Sequence, residues 1–305
     1  MSSYWTDYWK QGHLTSFGED IEDNYEGALF DCWHAYFEPI KGSNAVVIDI
    51  GTGNGALIDI AVNKVGCSNA LFYGIDSAKL YVNSKVNKQN VTFYPETPAE
   101  ALPFSDNSID YVVSQFGIEY SDLDKSIVEC ARILKNGGKI HWVIHDMESS
   151  IVKPNSSIYT ILVALQENNG PIKMLHQLID VLEKYGQYSK EAERCRAAFN
   201  SALQQCVEKS EEGLFGTGFP RFLKEVMKKD KNFSEKKEML LVFEREMHGQ
   251  FNRLQNLLQS ALSNDDKDKL VSTLFDNGFT NINSDVVIQE GKAIGYLLTG
   301  EWRPS

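Results

Sequence analysis

The sequence predicts an α/β fold built on a mostly parallel sheet, and three observations carry that prediction. The apolar run Val47-Ile48-Asp49-Ile50 passes straight into Gly51-Thr52-Gly53-Asn54-Gly55, and Ala56-Leu57-Ile58-Asp59-Ile60-Ala61 then reads as a helix, giving a strand–turn–helix unit. Apolar strands recur at Ala70 to Ile75, Tyr111 to Phe116 and Ile140 to Ile144, with a helical stretch around Ile127 to Leu134 before the last of them. Near the end, Asp265 to Asp276 reads as a helix; Asn281 to Gln289 and Ala293 to Thr299 read as two strands joined across Glu290-Gly291-Lys292. A hairpin there makes the last strand antiparallel.

The glycine turn points to a nucleoside cofactor. Glycines at 51, 53 and 55 let backbone approach a ligand closely. The following helix start offers unpaired N–H groups and partial positive charge for a carboxylate or phosphate. Gly51-x-Gly53-x-x-Ala56 also fits the loose dinucleotide fingerprint, so the turn alone leaves two cofactors open. Asp76, at the end of the second strand, can accept ribose hydroxyls in either case, or cap a helix beginning at Ala78-Lys79-Leu80.

Two further segments, read together with the acid before the turn, bear on the choice. Asp49 followed by Gly51, Gly53 and Gly55 resembles the first motif of class I S-adenosylmethionine-dependent methyltransferases. Ala99-Glu100-Ala101-Leu102-Pro103-Phe104, running on to Ile109-Asp110, is similar to the acidic-x-Leu-Pro-Phe passage of small-molecule methyltransferases of the ubiquinone and menaquinone biosynthesis type. Arg132-Ile133-Leu134-Lys135-Asn136-Gly137-Gly138 resembles that family's arginine-x-Leu-Lys-x-Gly-Gly run, with Gly137 expected to end the helix in a left-handed conformation. The resemblance covers roughly residues 45 to 146. It implies a Rossmann-like, seven-stranded, mostly parallel sheet with an antiparallel last strand, and S-adenosyl-L-methionine as cofactor.

On the same resemblance Asp49, Gly51, Thr52 and Gly53 hold the methionine end, Asp76 and Ser77 the ribose, Ala99 and Glu100 the adenine, and Gln115 completes the cofactor set. The acid that the family carries two positions before Glu100 is Pro98 here, so the adenine amino contact passes to Glu100 or Thr97. A base for the acceptor is expected near the ends of strands four and five. His145, Glu119 and Tyr120 are the catalytic candidates, with Asp146 beside them.

About a hundred residues separate strand five from the closing elements. They show helical periodicity: Leu240, Phe243, Met247, Phe251, Leu254, Leu258 and Ala261 form one stripe, Leu175, Leu178, Leu182 and Tyr185 a second, Cys195, Phe199, Ala202 and Cys206 a third. Gly170-Pro171 and Gly213 to Pro220 are expected to break the helices, the latter as a loop or hinge. The predicted organisation is an aromatic-rich helical cover at 1–44, a cofactor-binding core at 45–149 and 263–305, and a helical insertion after strand five at 150–262, read as a lid over the acceptor. In the cover, whose aromatics include Phe17, Tyr4 to Trp9 are expected near the cofactor, and Phe30, Trp33 and Phe37 on the flank of the sheet.

The net charge of −12 across 305 residues argues against a nucleic-acid partner, because phosphate backbones need dense cationic surfaces. Five scattered cysteines show neither zinc nor disulfide spacing, and Cys130, Cys195 and Cys206 are expected as core thiols. No signal peptide or membrane-length apolar run is present, so a cytoplasmic protein without a membrane partner is expected. The function so read is methyl transfer to a small-molecule acceptor. The alternatives are a cofactor-binding scaffold subunit without turnover and a nicotinamide dehydrogenase.

Overall fold

Alternation of apolar side chains sets the sheet. In β1 (Val46–Ile50), Val47 packs into one core and Ile48 and Ile50 into another on the opposite face. The computed structural model of the chain describes residues 3–16 and 23–304; Phe17 and the side chain of Tyr4 lie outside the described residues. With β2 (Leu71–Ile75), β3 (Val91–Tyr94), β4 (Ile109–Gln115), β5 (Leu134–Ile144), β6 (Phe279–Gln289) and β7 (Lys292–Trp302), β1 forms a seven-stranded sheet in the order β3-β2-β1-β4-β5-β7-β6. β7 pairs antiparallel with both β5 and β6, and the other neighbours pair in parallel.

Helices cover both faces. On one, α2 (Gly27–Phe37) buries Leu29, Trp33 and Phe37 at four-residue spacing, with α3 (Ala56–Asp59) and its π-helical continuation Ile60–Val65 beside it. Phe30, expected on that face, is only half-buried. On the other, α4 (Leu123–Ile133) contributes Ile127, Cys130 and Ile133, and α11 (Asn264–Asp276) contributes Leu270 and Leu274. The N-terminal cover begins with α1 (Ser3–Lys10), eight residues long.

Two local expectations are corrected. Gly137 does not end α4: the helix stops at Ile133, where Leu134 turns extended, buries its side chain and pairs with Ile109. Gly137, at φ +81°, instead serves the register shift between that pair and Tyr111–Lys139. No helix follows Asp76 either; residues 76–90 run without helix or strand to β3.

The chain divides into two compact units, Met1–Ile151 with Ser260–Ser305, and Val152–Gln259. The second holds α5 (Val152–Gln166), α6 (Pro171–Tyr185), α7 (Lys190–Lys209), α8 (Glu211–Gly216), α9 (Phe219–Val226) and most of α10 (Phe233–Ser260). The stretch 213–220, expected as a loop, is largely helical. A Cβ on Gly213 would stand 2.6 Å from the Ser157 carbonyl oxygen and one on Gly216 2.5 Å from the Ile158 side chain, so these glycines admit a close approach of α8 to α5. Phe199, Ala202 and Cys206 are buried as expected, Cys195 is half-buried, and Tyr185, at the last turn of α6, is exposed. No helix among the described residues is long and apolar enough to cross a membrane.

Candidate active site

The glycine loop joins β1 to the ends of its neighbours through backbone. Gly51 N and Thr52 N donate to the Ile75 carbonyl at 2.8 and 3.0 Å, and Gly55 N donates to Thr52 O at 2.9 Å. Gly53 N donates to Asp76 Oδ2 at 2.9 Å. These four amides are therefore already bonded, and what the loop itself offers a ligand is close approach. Gly51, at φ +70°, would place a Cβ 2.6 Å from Gly117 Cα, and Gly53, at φ +53°, a Cβ 2.6 Å from the Trp9 indole.

Trp9 belongs to α1, which lies over this loop. Asn54 Nδ2 donates to the carbonyls of Trp9 at 3.0 Å and His13 at 2.7 Å, while its Oδ1 accepts from Tyr81 N at 2.9 Å. Lys79 N donates to Thr6 Oγ1 at 3.2 Å. Tyr8 and Trp9 are buried as a result. Asn54 thus latches the N-terminal segment and the 78–82 loop onto the glycine turn, a role that sequence reasoning missed; its polar side chain inside the glycine motif is the available signal.

Around the loop, Asp76 Oδ1 accepts from Ala78 N at 2.8 Å, so the carboxylate closes a local turn as well as the glycine loop, and burial raises its pKa. Ser77 is exposed. Asp49, 2% exposed, is pushed up to about 7 by burial; the Thr52 hydroxyl offsets this in part without closing a hydrogen bond, and the Asp76 charge adds to it. Gln115 is buried, its Oε1 accepting from Trp33 Nε1. Ala99 is buried, and Glu100 Oε1 accepts from Asp122 N at 2.8 Å, which ties it to the start of α4. The Arg132 guanidinium donates to the carbonyls of Leu102 and Phe104 and to Asp106 and Glu129. The two motifs that mark the family by sequence are therefore one clamp in space.

A second cluster lies past β4 and β5. Glu119, in the 3-10 turn Ile118–Tyr120, accepts from His145 N at Oε1, 3.0 Å. Burial raises its carboxyl to about 7, offset in part by the His145 N–H, and lowers the His145 imidazole to about 3. The His145 ring stacks on Phe116 at 4.1 Å, a residue held at φ +53°. Tyr120 meets His145 edge-on at 6.1 Å and Trp5 at 5.9 Å. Asp146 leaves the candidate list: Oδ2 pairs with Lys267 Nζ at 2.9 Å, both nearly buried, and a bridge to Leu262 staples the two ends of the insertion.

Among the described residues seven buried side-chain N or O atoms lack a hydrogen-bond partner. Five of them, Asp49 Oδ2, Thr52 Oγ1, Gln115 Nε2, Glu119 Oε2 and His145 Nδ1, sit at or just beyond the carboxyl ends of β1, β4 and β5. Orphaned polar atoms are costly, and their concentration at one edge of the sheet marks a ligand site.

Residues 48–142 match the family model of a methyltransferase domain. The chain is 30% identical to a ubiquinone/menaquinone biosynthesis C-methyltransferase UbiE of Rickettsia felis, over 43% of this chain and 59% of that protein. It is 28% identical to a demethylmenaquinone methyltransferase of Bacteroides fragilis, over 38% of this chain and 48% of that one. The chain thus spans about half the length of these curated relatives. A structure of an S-adenosylmethionine-dependent methyltransferase from Thermotoga maritima, described as a possible histamine N-methyltransferase, aligns over 90% of this chain and 89% of its own, with 13% identity and a TM-score of 0.42. The strand order with its antiparallel β7 and the matched segment, rather than that alignment, give the assignment: this chain carries a class I, S-adenosylmethionine-dependent methyltransferase domain.

Proposed function

We propose that the chain transfers the methyl group of S-adenosylmethionine to a small-molecule acceptor. The observation that carries this reading is the row of orphaned buried polar atoms at the carboxyl edge of the sheet. Their chemistry fits the cofactor. Asp49 Oδ2, an acceptor, and Gln115 Nε2, a donor, lie on neighbouring strands and suit the ammonium and carboxylate of an amino acid. Asp76 keeps lone pairs for ribose hydroxyls beside the two amides that it already accepts. Ala99 and Glu100 border the adenine side, with Ser77 beside Asp76.

Bound there, S-adenosylmethionine supplies an electrophilic methyl carbon. The protein's part is to hold donor and acceptor in line, which accounts for most of the rate in such a transfer. Glu119, His145 and Tyr120 face the acceptor in this reading, and α1 covers the cofactor loop. Isothermal titration with S-adenosylmethionine and S-adenosylhomocysteine tests the reading. Saturable binding of both is expected, and failure of both to bind at about 1 mM would overturn it.

A further inference from the structure

We infer that the acceptor is a protonated amine, seated against aromatic rings and relieved of its proton by Glu119; this rests on the methyltransferase reading above. Glu119 is 4% exposed, its Oε1 takes the His145 N–H, and its Oε2 is buried without a partner. Glu119 forms no ion pair among the described residues. An uncompensated buried carboxylate is expensive, and a cationic ligand carries the missing charge in with it. His145 cannot carry it, because burial keeps the imidazole neutral.

The neighbouring rings favour the same ligand. Trp9 rests on Gly53, stacks on Trp5 at 5.9 Å, and Trp5 meets Tyr120, which meets His145, stacked in turn on Phe116. Ring contacts therefore run unbroken from the cofactor loop to the residue bonded to Glu119. Ring faces attract ammonium groups most strongly where water is excluded. The net charge of −12 steers cations inward. A hydroxyl acceptor gains from none of these, and a thiol or carbon acceptor needs neither rings nor charge.

The chemistry demands a base. An ammonium has no lone pair, so one N–H proton passes first to Glu119, whose carboxyl near pKa 7 can take it at neutral pH. The freed nitrogen pair then forms the N–C bond to the methyl carbon as the C–S bond breaks and its electrons remain on sulfur. The products are the N-methylammonium, S-adenosylhomocysteine and a protonated Glu119 that returns its proton to solvent when the site opens.

The test uses the full chain saturated with S-adenosylhomocysteine, titrated with 2-phenylethylamine and with its neutral counterpart 2-phenylethanol. The amine is expected to bind at least about tenfold tighter, and Glu119→Gln to cut that preference to about twofold or less while S-adenosylhomocysteine affinity and the circular dichroism spectrum stay unchanged. Trp5→Ala, remote from the carboxylate, should weaken the amine more than the alcohol. Equal or tighter binding of the alcohol, a preference that survives Glu119→Gln, or no binding of either probe at about 10 mM overturns the inference. Failure of S-adenosylhomocysteine itself to bind overturns the functional reading instead, so the two failures are distinguishable.

Discussion

The two halves of the proposed site, one for the cofactor and one for the acceptor, are built by opposite means. The cofactor half, Gly51 to Gly55 with Asp76, is held by backbone: each glycine takes a positive φ, and the amides bond to Ile75, Asp76 and Thr52. The acceptor half, Gly117 to Tyr120 with His145, is held by burial: its carboxylate and imidazole each keep an unpartnered atom, and burial moves both pKa values away from their usual range. A backbone half gives a shape that does not depend on the ligand. A buried polar half gives reactivity that does.

The halves meet where Gly51 lies against Gly117, and breaking that contact should have the largest effect. In Gly51→Ala a Cβ stands 2.6 Å from Gly117 Cα, with φ at +70°. Neither neighbour is a flexible side chain, so the loop or the turn must move. Urea unfolding should show about 3 kcal/mol lost, the sum of overpacking and a strained left-handed alanine. Titration should show the cofactor affinity lost as well. If Gly51→Ala keeps wild-type stability and affinity, the two halves are not coupled through backbone.

Next comes a change confined to the acceptor half. Glu119→Gln should lower kcat/KM about a hundredfold, near 2.7 kcal/mol, because the proton has no acceptor, while cofactor affinity stays within about twofold. Loss of cofactor affinity in that variant would place Glu119 in the wrong half.

Asp49 belongs by position to the cofactor half and by electrostatics to the other. Its carboxyl titrates near 7 in the fold against 3.8 as an unperturbed group. Between those values the folded protein keeps a proton that the unfolded chain has lost, so stability falls as pH rises through that window and levels off above it. Asp49→Asn removes its share of that slope, leaving the shares of Asp76 and Glu119. Unfolding free energies at pH 5 and pH 8 should differ by about 2 kcal/mol less in the variant than in the wild type, and the same residue change should weaken the cofactor. An unchanged pH slope would mean that Asp49 is ionised in the fold.

The difference between the halves also explains what the chain disclosed before its structure. The sheet was legible because strand residues alternate between two cores, as Val47 and Ile48 do, and a hairpin sign at Glu290-Gly291-Lys292 fixes β7 against β6. The glycine loop was legible because positive φ values select glycine locally. Trp9 over Gly53 was not, since 44 positions of chain separate them and nothing in either residue names the other. Gly137 misled for a related reason: left-handed glycine is a common helix stop, but the pairing of Leu134 with Ile109 ended α4 first. Glu119 and His145 were candidates by topology alone; the burial that shifts their pKa values is a property of the assembled fold. In the insertion, helical periodicity was plain, while 213–220 read as a loop because glycines that serve helix–helix approach look like breakers in sequence.

The smallest expected effect lies at Glu100, where the two kinds of construction compete for one side chain. Its Oε1 accepts from Asp122 N, a bond across from the loop after β3 to the start of α4, and Arg132 fixes the same loop from the other end of that helix. A residue so placed serves the adenine chiefly by keeping Ala99 and the loop in position. Glu100→Ala should then cost about 1 kcal/mol of stability, the usual value of a lost helix-start bond, and weaken the cofactor only through loop movement. Glu100→Gln, which keeps an oxygen for Asp122 N, should restore both. If instead Glu100→Gln binds S-adenosylhomocysteine tenfold more weakly while folding with wild-type stability, the carboxylate itself grips the base, and the cofactor half contains one contact that depends on charge rather than on backbone.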